Sequence, residues 1–227
     1  MTLDRLMFAL TLLGAVVTLI FAGLMQAGAP ESLPASVNGF DRPIFAVYFA
    51  RSMEDLAFIT GPGAAAIREW MQGIQALDTW FPLAYGGMGM AFFAGLGFRG
   101  RKLAFLGVII VAGAIGADWA ENEVANRILA DLDSGTDPSA ALDAMWSHTW
   151  LKWGLIGAYS ALLSYLLATD GRRLLAIIPG LAAIALLATY FTGADPDVFR
   201  VTNYLLVAFM LTFPVAAVFY LRARDRH

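Results

Sequence analysis

The 227-residue chain has no cysteine, and of its two histidines one is the final residue, His227. Without thiols, disulfides, thiolate metal centres and cysteine nucleophiles are excluded. So few imidazoles also argue against a multi-histidine metal or haem site, and no cofactor is expected. Charge is scarce too: 15% of residues are Asp, Glu, Lys or Arg, against roughly 25% in ordinary soluble domains. The formal net charge of -3 gives none of the clustered basic surface that phosphate neutralisation needs, so nucleic acid is not expected as a partner. A nucleophile-elbow serine, a phosphate-cradling glycine loop and the several-histidine patterns of intramembrane hydrolases are likewise missing.

What the chain has instead is apolar length. Hydrophobic residues make up 59% of it and mean hydropathy is +0.66. Six segments are long and apolar enough to span a bilayer: Leu6 to Ala27, Thr79 to Phe98, Leu103 to Asn122, Trp150 to Thr169, Leu174 to Thr192, and Val201 to Leu221. In lipid every backbone polar group must be satisfied internally, and the alternating pattern of a barrel is absent, so all six are predicted to be helices. The expected fold class is all-α, a polytopic membrane helix bundle forming a single domain over residues 1–227. Ala27 and Ala29 imitate a signal-peptide cleavage site after the first stretch, but about twenty apolar residues are too many for a signal core, and Pro30 would follow the cut.

Basic residues set the expected orientation, because short cytoplasmic loops concentrate Lys and Arg. Arg99, Arg101 and Lys102 follow the second span, Arg172 and Arg173 the fourth, and Arg222, Arg224 and Arg226 the sixth. All fall on one side. Opposite them lie Asp131, Asp133, Asp137 and Asp143, and the Asp195 to Asp197 turn. The expected location is a bacterial cytoplasmic membrane with both termini cytoplasmic.

Two outer connections are long. Residues 29–78 are expected to form an amphipathic helical cap: Ile44, Val47, Tyr48, Met53 and Leu56 recur near helical spacing between Asp41 and Ile59, and a second helix follows the Gly61-Pro62-Gly63 break from Ala64 to Leu77. Residues 123–148 extend the third helix to about Leu132, break at Ser134-Gly135, and restart with Asp137 or Ser139 as a cap. Gly14, Thr18 and Ala22, then Gly87, Ala91 and Gly95, then Ala112 and Gly116, make small-residue faces suited to helix packing. Pro179 and Pro214 are expected to kink or loosen the fifth and sixth spans. Three spans precede the second long connection and three follow it, the count an inverted repeat needs, without matching residues.

The chemistry concentrates at the outer end of the third span. Asp118, Glu121 and Asn122 stand at i, i+3 and i+4 and share one helical face, with Asn126 a turn further on. The fifteen uncharged residues before Asp118 cover about 22 Å, short of a hydrocarbon core of roughly 30 Å. The carboxylates therefore lie at or below its far boundary, where ionisable groups face the bundle interior. Lys152 lies about 27 Å from the inner end of the fourth span, at matching depth, and is expected to pair with Asp118 or Glu121. Two acids and one base leave a carboxylate over, either protonated or reserved for a cationic or hydrogen-bonding ligand. Asp78 and Tyr85 share a face at the start of the second span, where Asp78 also reads as a helix N-cap. Trp146, Trp150 and Trp153 recur at i, i+4 and i+7, with His148 between them; they read as a pocket wall or as an interfacial aromatic belt. One histidine beside two carboxylates does not make a metal site.

The run Asp118-Trp119-Ala120-Glu121-Asn122, followed by Leu151-Lys152-Trp153 and preceded by Phe49-Ala50-Arg51-Ser52 with Glu54 and Asp55, resembles a pattern in uncharacterised bacterial multi-spanning membrane proteins. That resemblance covers about a third of the chain and implies no activity. From the residues themselves, the leading expectation is a polar pocket at the outer leaflet that binds a membrane lipid or small amphipathic ligand, for transport or sensing. Asp118, Glu121, Asn122, Lys152, Asp78, Tyr85, His148, Trp150 and Trp153 are its candidate residues. An intramembrane acid/base enzyme acting on a lipid-like substrate stays open, as does an accessory subunit whose small-residue faces dock a homo-oligomer or larger complex.

Overall fold

A computed structural model describes residues 1–31, 34, 36–61 and 63–223. Pro62 of the expected break, and Arg224, Arg226 and His227, lie outside the described residues. Nine helices follow one another among the described residues: α1 (Leu3–Leu24), α2 (Pro43–Tyr48), α3 (Ala57–Thr60), α4 (Ala64–Asp78), α5 (Phe81–Phe98), α6 (Ala104–Ser134), α7 (Ser139–Thr169), α8 (Arg173–Phe191) and α9 (Pro196–Arg222). Six of them, α1 and α5 to α9, carry the spans, with α4 running on towards α5. The chain is a multi-pass, all-α membrane protein.

Each spanning helix packs on its neighbour in sequence, and α1 closes the ring against α9. The centre is aromatic: Phe92 and Phe93 of α5, Tyr159 of α7, and Phe209 and Phe213 of α9 are fully buried and meet edge-on or tilted. Close approach to glycine backbone occurs where α1 meets α5 and also where α5 meets α6, at Gly86 and Gly107. A Cβ on Gly14 would stand 3.0 Å from Met88 Cα, and one on Gly95 would stand 2.9 Å from the Phe8 ring. The expected small-residue faces are only partly used. Gly87, Ala112 and Gly116 are exposed, because the inward turns of α5 and α6 fall on Gly86, Gly89, Ala114 and Ala117 instead. Both α8 and α9 run through their prolines without interruption.

One end of the ring brings the basic turns after α5 and α7 together with the end of α9. Arg99 pairs with Asp4 at 2.6 Å and donates to the Tyr220 carbonyl at 2.8 Å. Arg5 reaches the Leu221 carbonyl, and Arg101 and the Tyr220 hydroxyl both meet Asp170.

The opposite end is built differently. At 31 residues each, α6 and α7 run about 46 Å and project well past a hydrocarbon core of roughly 30 Å. Gly135, at φ +72°, terminates α6, and Asp137 caps the start of α7 by accepting from Ser139 N at 3.1 Å. The projecting turns pack with α2 to α4 into a second apolar core: Val47, Tyr48, Leu56, Ile59, Met71, Ile128, Leu129 and Met145 are all buried there. Arg68 of α4 clasps Asp133 of α6 at 2.5 Å.

Asp41 to Ile59 forms α2 and most of α3, joined by turns rather than as one continuous helix, and its apolar side is buried against protein. The amphipathic spacing is real; its apolar side has a protein partner in the raised ends of α6 and α7. Along α6 the two cores are separated by the stretch from Ile115 to Ala125 and along α7 by that from Met145 to Trp153, roughly two to three turns in each, and the polar residues occupy that seam.

Candidate functional site

Three long helices deliver the charged side chains. In α6, Asp118, Glu121 and Asn122 lie between Ile115 of the membrane core and Ala125 of the cap core; in α7, Thr149 and Lys152 lie between Met145 and Trp153. From α4 comes Asp78, one helical break above Tyr85 of α5. The short α2 adds Tyr48 from above.

Lys152 Nζ forms an ion pair with Glu121 and lies 3.5 Å from Asp118 Oδ1. Tyr85 donates its hydroxyl to Asp118 Oδ2 at 2.6 Å. The Tyr48 hydroxyl stands 3.1 Å from Asn122 Oδ1 and 3.3 Å from Asp78 Oδ2, and its single proton serves one of them at a time. Asn122 Nδ2 donates to the Asp78 carbonyl, and Thr149 Oγ1 to the Tyr48 carbonyl, which pins the end of α2 to the seam. Above the ammonium of Lys152 lies the Tyr48 ring, its centroid 4.6 Å away, with the Trp153 ring at 5.0 Å.

The cluster is sealed. Glu121 is 0% exposed, Asp118 and Lys152 5%, and Asp78 7%. None of three cavities of about 280, 430 and 460 Å³ is lined by any of these four residues. Tyr48 covers the cluster, and its phenol is pushed up from its ordinary value, first by burial and then by the Asp78, Glu121 and Asp118 carboxylates.

The tally of ionisable groups is three acids to one base. Asp78 joins the site because it ends α4, where backbone N–H groups are already used; it caps nothing, contrary to the N-cap reading. Two hydrogen-bonding groups are left unserved in the same seam: Glu121 Oε1, and both amide atoms of Gln75, which is 1% exposed. Buried polar atoms without partners are rare enough in native proteins to require a reason.

Other candidates are placed elsewhere. His148 is half-buried, with Nδ1 against the Ala144 carbonyl at 2.9 Å, and no described hydrogen bond joins it to the cluster. Trp150 packs against Trp146, Phe49 and Tyr190 rather than against the acids. Trp153 touches the site with one face only. Asn126 lies above the seam and is half-buried. Tyr48, Thr149 and Gln75 were not among the sequence candidates; nothing in the local pattern around them differs from an amphipathic helix. Among the described residues no three His, Cys, Asp or Glu side chains are arranged to hold a metal ion. No protein-family model, curated protein or solved structure matches the chain.

Proposed function

We propose that this membrane protein takes up the cationic head of a small amphipathic molecule or lipid in the α4–α6–α7 seam, as a carrier or sensor. The observation that carries this reading is the buried surplus of two carboxylates over Lys152, together with the unpartnered Glu121 Oε1. A structural clamp between helices needs one acid and one base. Taking charges out of water costs several kcal/mol each, so a surplus is a standing demand for protons or for a cation.

The residues divide the work. Glu121 and Asp118 supply acceptance, Asp78 adds the third charge from the opposite wall, and Gln75 offers both a donor and an acceptor. Lys152 holds the two α6 carboxylates in place and keeps them from repelling one another apart. Tyr48 closes the entrance, so uptake requires α2 to withdraw, and an arriving ammonium replaces the Tyr48 hydroxyl at Asp78. Occupancy is thereby coupled to the cap, which is what a sensor or an alternating carrier requires. The basic turns favour a cytoplasmic end for α1 and α9, in a bacterial inner membrane, and hence entry from the outer leaflet.

The test is titration of the purified protein in maltoside detergent with dodecylamine and, in parallel, with uncharged dodecanol. Saturable stabilisation by the amine alone is expected. It should vanish in Glu121→Gln and Asp118→Asn while both variants stay folded; equal stabilisation by the alcohol, or amide variants that still respond, overturns the reading.

A further inference from the structure

The three carboxyl groups of the seam are not served alike. Lys152 is committed to α6, through its ion pair with Glu121 and its approach to Asp118, and Asp118 accepts from Tyr85 as well. Asp78 ends α4 on the other wall. Among the described residues no cation stands within ion-pair distance of it, and almost no solvent reaches it.

Its one side-chain donor is contested. Asn122 Nδ2 donates to the Asp78 carbonyl, which turns Asn122 Oδ1 towards the Tyr48 hydroxyl at 3.1 Å, while Asp78 Oδ2 stands 3.3 Å from the same hydroxyl. Two acceptor oxygens therefore face a phenol with a single proton. With Asp78 ionised, one of the two contacts sets lone pair against lone pair. A proton on Asp78 Oδ2 satisfies both: Tyr48 donates to Asn122, and Asp78 donates to Tyr48. A buried carboxylate without a cation is neutralised rather than left charged, and a proton is the one counter-ion that needs no cavity.

We propose that Asp78 holds a proton while the seam is closed and surrenders it when a cation enters, so that the site exchanges one cation for one proton. This rests on the cationic-head reading and makes the protein a carrier rather than a sensor. Around Asp78 stand Tyr48 of α2, Tyr85 of α5, Asp118 and Glu121 of α6, and Lys152 of α7. Of these only Tyr48 belongs to the cap, so the withdrawal of α2 breaks the partnership of Asp78 and leaves the Lys152 pairs intact. The O–H bond of Asp78 then breaks, its proton passes to water at the opened cap face, and the carboxylate left behind pairs with the arriving cation. The net charge of the seam is unchanged. Release of the cation requires a proton to return to Asp78, so each occupant lowers the affinity for the other.

Two measurements on the purified protein in maltoside test this. Infrared difference spectra at neutral pH, wild type against Asp78→Asn, should show the carbonyl stretch of one protonated carboxyl that the variant lacks. In Tyr48→Phe that band should persist and move to higher frequency, as the carboxyl loses its phenol partner. Dodecyltrimethylammonium, whose charge is fixed, is then titrated into weakly buffered protein. It should release one proton per cation bound, and its affinity should fall about tenfold for each unit by which the pH is lowered. Absence of a protonated carboxyl assignable to Asp78 overturns the proposal whether or not the cation binds. Binding without proton release overturns it too, and leaves the cationic-head reading standing. A protonated Asp78 with no saturable binding of the cation removes that reading, and the exchange with it.

Discussion

The two ends of this bundle handle charge in opposite ways. At the basic end, Arg99 and Asp4, and Arg101 and Asp170, are paired with side chains 12–36% exposed, while Arg99 also donates to the Tyr220 carbonyl and Arg5 to the Leu221 carbonyl. In the seam, Asp78, Asp118 and Glu121 converge on one ammonium and almost no solvent reaches them. The first arrangement fastens loops and loses little if altered, because water stands ready to replace any partner. The second has no such reserve, and its imbalance cannot be explained by fastening.

Removing the one base should produce the largest effect. Lys152→Met leaves three carboxylates buried together and is expected to destabilise by about 3–5 kcal/mol, read as a fall in thermal unfolding temperature in detergent. Adding Glu121→Gln should restore a substantial part. A Lys152→Met variant as stable as wild type would erase the distinction between the ends. Tyr48→Phe comes next: it removes the hydroxyl that meets Asn122 and Asp78, for about 1–2 kcal/mol.

That variant also sharpens the comparison through pH. The Tyr48 phenol sits above its ordinary value of 10 in the folded protein, so the folded state holds this proton more tightly than the unfolded one. Its stability contribution is whole below pH 10 and is lost as pH rises through 10 towards the folded value. Wild type should therefore lose stability more steeply than Tyr48→Phe above pH 10; parallel curves would contradict the buried placement. Smaller still, Arg99→Gln at the basic end is expected to cost about 1 kcal/mol through its bond to Asp4 and its packing over Phe8, and Arg101→Lys a few tenths, about 0.3 kcal/mol.

The spans were legible because apolar length and the helical repeat are properties of the local sequence. So was the contact of Lys152 with the α6 acids, since rise per residue fixes depth from either side and the i, i+3 spacing fixes the face. The third acid was half-legible: Asp78 precedes Thr79-Trp80-Phe81-Pro82, which reads as a helix start, and only the joining of α4 to α5 turns it into a helix end. Tyr48 was invisible as a site residue, because its partners Asn122 and Thr149 lie 74 and 101 residues away. Amphipathic spacing in Asp41 to Ile59 states that one side must be covered. It does not state whether lipid or the raised turns of α6 and α7 will cover it.

Those raised turns have a mechanical consequence. Because α6 and α7 pass from the membrane core into the cap as unbroken rods, neither offers a hinge at the seam. The breaks in helix nearest the seam are the turns flanking α2 and the Thr79-Trp80 joint between α4 and α5. Any opening must therefore swing the early helices away from two fixed posts, and a crosslink between cysteines placed on α2 and α7 would lock it shut.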